Sequence, residues 1–126
     1  MTTIHEPPNL GDLLKYEEDS LHYSREVATV SAGQKLPLGT VVGRETVGAK
    51  LKQLDPLATD GTENPVGVLL VDVDATLIDV EGALLLNRHA VLASNCVNWP
   101  VGITAAAKAS ATDALAALGI LIRQSA

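Results

Sequence analysis

Residues Val68–Asp79 read VLLVDVDATLID. An apolar run meets two aspartates spaced by one residue and then a threonine. Two architectures accommodate such a stretch. In a doubly wound α/β protein it is the first strand of a parallel sheet, presenting Asp72 and Asp74 at its carboxyl end. In a β-rich protein it is a buried strand, and the aspartates sit on the turn that leaves it. The surroundings decide between the two. Asp72 lies past the middle of the 126-residue chain, and no alternation of strands and helices precedes or follows it. Val66 to Val73 therefore reads as the strongest strand of a compact β-rich domain, apolar enough to be buried on both faces.

The flanks fit that reading. Upstream, VATVSAG from Val27 suggests a short strand ending in a turn, and Leu36-Pro37-Leu38-Gly39 a second turn. Thr40–Gly43 is a short strand, and Val47–Leu54 alternates weakly as its hairpin partner. Asp60-Gly61 marks a tight turn in the polar loop before Val66. Downstream, Thr76–Val80, Ala83–Leu86 and His89–Ala93 read as short strands separated by Glu81-Gly82 and Asn87-Arg88. After Trp99-Pro100 the character changes. Thr104 stands as N-cap before an alanine-rich run to Leu118, and Gly119 is the stop. This predicts one helix with Ala111, Leu115 and Leu118 facing inward, then a last strand at Ile120–Arg123 that returns to the sheet. Trp99 is a core plug or part of a contact between copies. The predicted class is mainly β with one C-terminal helix (α+β).

Residues 1–26 differ from the rest. They hold both tyrosines, two of the three histidines and six acidic residues, with sparse apolar positions. Such a segment buries too little surface to offset its ordering entropy, so it is expected to be a flexible N-terminal arm, leaving 27–126 as the folded domain. That domain lacks aromatic bulk: the chain has no Phe, one Trp and two Tyr against 47% hydrophobic residues. Small aliphatic side chains bury less area each, and the chain gains from burying surface against copies of itself. The net charge of −6 and the absence of a Lys/Arg cluster argue against direct binding of nucleic acid. A single cysteine, Cys96, rules out an internal disulfide. No signal peptide or membrane-length apolar run is visible, so a soluble protein made in a cytoplasm is expected.

Chemistry finds little purchase. Asp72-x-Asp74-x-Thr76 resembles the nucleophile loop of haloacid-dehalogenase-type phosphatases. That chemistry needs a later Lys and a carboxylate pair for magnesium, and after Asp79 the only acids are Glu81 and Asp113. His5, His22, His89 and Cys96 lack metal-ligand spacing, and Asp72, Asp74 and Asp79 lack the glycine and terminal Glu of a calcium loop. No nucleophile elbow surrounds a serine, so Ser24, His89 and Asp72 make no triad. Gly39 and Gly43 precede no helix that could cradle a phosphate. The expectation is no enzyme, no cofactor and no metal. A small phosphatase using Asp72 and Asp74 stands third among the readings.

The remaining pieces, in order, resemble the lambda-type head decoration proteins of tailed bacteriophages. The resemblance rests on Tyr23-Ser24-Arg25-Glu26-Val27, Leu38-Gly39-Thr40-Val41-Val42-Gly43, Asp60-Gly61 with Val66-Gly67-Val68-Leu69, Trp99-Pro100, and Ala117-Leu118-Gly119-Ile120. It covers residues 20 to 126, and the first twenty match only in being a polar leader. It implies a β-clip-like domain that forms homotrimers on the outside of the expanded shell, at three-fold and quasi-three-fold positions. The trimer staples capsomers against the pressure of packaged DNA, and the N-terminal arms add strands to the major capsid protein. It implies a place on the virion surface, after synthesis in the host cytoplasm. Within the arm, Leu13, Leu14, Tyr16, Leu21 and Tyr23 are the expected anchors, with Ser24, Arg25 and Glu26 at the junction. Trp99, Leu115 and Leu118 serve core or trimer packing. The alternative is a trimeric β domain of another phage part, tail or baseplate, or a peptide-binding scaffold.

Overall fold

The apolar run beginning at Val66 is split in the structure. A computed structural model describes residues 10–17 and 24–124. Along it come α1 (Leu10–Leu13), β1 (Leu14–Glu17), β2 (Arg25–Val30), β3 (Gln34–Leu36), β4 (Val41–Arg44) and β5 (Leu51–Gln53). Then follow β6 (Pro65–Leu69), β7 (Val73–Ala75), β8 (Val80–Leu86), β9 (Ala90–Ala93), a 3-10 turn at Ser94–Cys96, α2 (Ala105–Ala117) and β10 (Ile120–Arg123). The run supplies both β6 and β7, which join different sheets.

Strands β2, β5, β4, β6 and β8, in that order, close into a barrel. The hairpin expected from Thr40 to Leu54 is present as β4 and β5, with Val42 opposite Gln53 and Arg44 opposite Leu51. Closure runs through a parallel bridge between Val30 and Leu51, extended by the Ser31 N–H donating to the Leu51 carbonyl at 2.9 Å. Successive strand residues face opposite ways, and both faces are apolar. Val30, Val42, Leu51, Leu69 and Leu85 form the barrel's inner cluster, joined by Leu36, Val73 and Ala75 from the β3–β7 pair. Their neighbours Val41, Val68 and Leu86 belong to a second cluster with Leu92, Ala111, Leu115 and Ile120. This two-sided burial explains why Val68, Leu69 and Leu70 are all buried. Each such side chain contributes about 1.5–3 kcal/mol of transfer free energy.

The second cluster lies between the barrel and a sheet ordered β1-β9-β10. β10 runs parallel to β9, with Ile120 opposite Ala90. A parallel pair needs a crossover, and α2 supplies it. The Thr104 hydroxyl caps α2 by accepting from the Ala107 N–H at 3.1 Å. Ala111 and Leu115 face inward as expected, but Leu118 is the C-cap and is 38% exposed. Leu118 keeps right-handed helical dihedrals, but its position at the helix end borders an open cleft. The expected strand Thr76–Val80 is also absent. Thr76–Ile78 form an exposed bend, and β8 instead starts at Val80 and continues through Glu81-Gly82. It does so because Gly82, at φ +79°, accommodates an irregularity in the β2–β8 ladder between the Val30–Val80 and Ala28–Ala83 pairs.

The described part of the N-terminal segment, residues 10–17, packs on the domain: Leu13 is fully buried in the second cluster, and Leu10 and Leu14 pack against it. β1 pairs antiparallel with β9, Leu14 opposite Leu92 and Glu17 opposite Ala90. Leu10 and Leu13 are spaced i, i+3, which puts them on one side of the single turn of α1, and Leu14 follows at the start of β1. That spacing is too short to register as a sustained period. Ser24 is buried and β2 begins at Arg25.

Candidate functional site

The leader and its attachment carry most of the residues singled out from sequence. α1 plugs Leu13 into the core, and β1 then runs along the free edge of β9. Leu14 is half-buried, whereas Tyr16, opposite Val91, is 56% exposed. Leu21 and Tyr23, also expected as anchors, lie outside the described residues. The leader is fastened at its far end by Glu17. Its carboxylate accepts from Arg25 through a fork, Nε to Oε2 at 2.6 Å and Nη2 to Oε1 at 2.8 Å. The Ser24 hydroxyl donates to the same carboxylate. Paired N–H···O bonds of this kind fix orientation as well as charge. The bond to Glu17 raises the Arg25 pKa above its ordinary value, against a smaller opposing effect of burial. Ser24 and Arg25 thus both hold Glu17. No sequence signal distinguished Glu17 from its acidic neighbours.

Glu26 turns to the opposite side of β2. Its carboxylate bridges Arg44 Nη2 at 3.2 Å and Asn87 Nδ2 at 2.6 Å. It lines an open cleft of about 540 Å³ with Arg44, Pro65, Asn87, His89 and Leu118. Leu118 therefore borders a cleft instead of packing the core. Leu115 is fully buried. Trp99 is half-buried against the second cluster, with the Lys108 ammonium 5.7 Å from its ring centre, a cation–π arrangement.

The aspartates of the opening stretch have structural partners. Asp72 Oδ1 accepts the Leu38 N–H at 2.7 Å, tying the turn after β3 to the start of β7. Asp74 accepts the Thr76 hydroxyl at 2.5 Å and the Thr76 N–H at 3.2 Å. Those bonds, the hydroxyl first, hold its pKa below the ordinary carboxylate value. Asp79 accepts the Ala32 N–H at 2.8 Å and pairs with Lys50. The pairing with Lys50 is the main cause of its lowered pKa. Asp72 and Asp74 do line an open cavity with Lys35 and Pro37. They reach it from the two-stranded β3–β7 sheet, however, and not from a doubly wound one. Among the described residues no three His, Cys, Asp or Glu side chains gather as a metal site.

Exposed apolar residues went unremarked in the sequence. Leu77 and Ile78 stand out on the bend before β8, and Leu57 and Val101 on two proline turns near the start of α2. Leu77 and Ile78 fall in the stretch Thr76–Val80 that reads as a strand, so their exposure is not visible in the sequence.

These features sit on a β-rich domain with a docked leader and a capped alanine-rich helix. No curated protein matches the chain at a significant level. The family model described as bacteriophage lambda head decoration protein D matches residues 3–120. The chain belongs to that family of phage head decoration proteins.

Proposed function

We propose that this head decoration protein acts as a homotrimer on the outer surface of the expanded phage head. It sits at three-fold sites and stabilises the shell against the pressure of packaged DNA. The observation that carries this reading is the family match across residues 3–120, leader included. The partner is the major capsid protein of the same phage, met through the leader within residues 1–26 by strand addition. Main-chain pairing tolerates a poorly apolar segment, and each hydrogen bond adds only about 1 kcal/mol net. Three leaders on one trimer act together at high effective concentration, so weak single contacts sum to firm attachment.

The docked part of the leader supports this economy. Ordering costs about 1–2 kcal/mol per residue, and residues 10–17 are already ordered by α1 and β1. On this reading Leu13 anchors the leader to its own domain. Leu14 packs beside it, Tyr16, Leu21 and Tyr23 meet the shell, and Ser24, Arg25 and Glu26 fix the junction. Asp72 and Asp74 have no catalytic part, and Asp72→Asn should leave shell binding intact.

Co-sedimentation with purified expanded heads tests the proposal. Wild type should pellet with the heads. Tyr16→Asp spares Leu13 and should leave a folded trimer that stays in the supernatant. Wild type that never pellets would point to a tail or baseplate role instead. A Tyr16→Asp protein that pellets as well as wild type would remove Tyr16 from the contact.

A further inference from the structure

We draw no further inference here: the strongest candidate, the open cleft of about 540 Å³ between Glu26 on β2, Arg44 on β4 and the end of α2 at Leu118, has its Arg44 guanidinium already paired with Glu26, and nothing in the structure shows what covers it.

Discussion

Replacing Leu13 by Ala separates a docked leader from a loose one. The Leu13 side chain is fully buried, in a cluster shared with Leu92, Ala93, Cys96 and Leu115. Truncating such a leucine costs about 3–5 kcal/mol in lost transfer energy and cavity. The leader has an escape that a central core residue lacks. Residues 10–17 can lift off β9 as a unit, so the loss seen in global unfolding is capped by the docking free energy of the leader alone. Hydrogen exchange read by mass spectrometry distinguishes the levels. Amides of residues 14–17 and of β9 should lose protection by roughly two to three and a half orders of magnitude, or completely if docking is weaker than the cost. Amides of β4, β6 and β8 should lose far less protection: Val41, Val68 and Leu86 share the Leu13 cluster, but the same strands also carry Val42, Leu69 and Leu85 of the inner cluster, which does not include Leu13. Identical exchange of residues 10–17 in the wild type and the variant would refute the docking. Equal loss of protection in the barrel would refute the separation of leader from barrel.

Three further outcomes follow from single contacts. A Cβ on Gly67 would lie 2.2 Å from the Leu86 carbonyl oxygen and 2.9 Å from Leu85 Cδ1. Gly67→Ala must therefore push β6 from β8, lowering stability by about 3 kcal/mol in urea titration. An unchanged midpoint would mean that the strands part freely. Glu17→Gln breaks the forked pair with Arg25, whose side chains are 26% and 22% exposed for Arg25 and Glu17. Partial exposure limits the loss to about 1 kcal/mol, near five-fold in leader exchange, and no effect would make the pair ornamental. Asp60, Asp74 and Asp79 all titrate below the ordinary value of 3.8, held there first by the Thr62 hydroxyl, the Thr76 hydroxyl and Lys50 respectively. Their contribution to stability is complete above that value. It is lost as pH falls below it, because the unfolded chain takes up protons first. Thermal midpoints should be level from pH 7 to 5 as far as these groups act, and should drop below pH 4. Asp79→Asn should flatten that drop, and an equally steep drop in the variant would sink the assignment.

What was legible followed from local chemistry. The helix was readable because Thr104, the alanines and Gly119 state its start, body and stop within one segment. The β class was readable because turn residues punctuate the apolar runs. Closure of the barrel was not. It depends on Val30 meeting Leu51, a pairing between strands that no hairpin joins. The split of Val66–Val73 into two sheets was hidden for a related reason. A run buried on both faces looks the same whether it stays in one sheet or changes partner. The leader misled because three leucines in five residues are diluted by the acidic sequence around them. Their worth comes from β9, whose edge they cover, and a sequence window does not contain both. Exposure of Leu77 and Ile78 was invisible because a strand and a protruding bend can share the letters TLID.

The docked leader also bears on how a decoration protein could carry load. A loose tether attached only at residue 26 would pass tension straight into β2, a barrel strand. Here tension arriving from the N-terminal side of Leu10 meets α1 and β1 first. β1 lies antiparallel along β9, so pull along the leader loads its ladder in shear, and several hydrogen bonds must yield together. The Leu13 side chain, seated in the core, resists the same motion by packing, and the Glu17–Arg25 fork stands behind both. Each element is weak alone, at about 1 kcal/mol for a hydrogen bond or a partly exposed ion pair. In series behind one another they delay failure of the barrel until the leader has peeled away. Pulling on residue 10 should therefore give a first, smaller rupture that Leu13→Ala abolishes, ahead of barrel unfolding at unchanged force. A single rupture, the same in both proteins, would mean that the leader bears nothing.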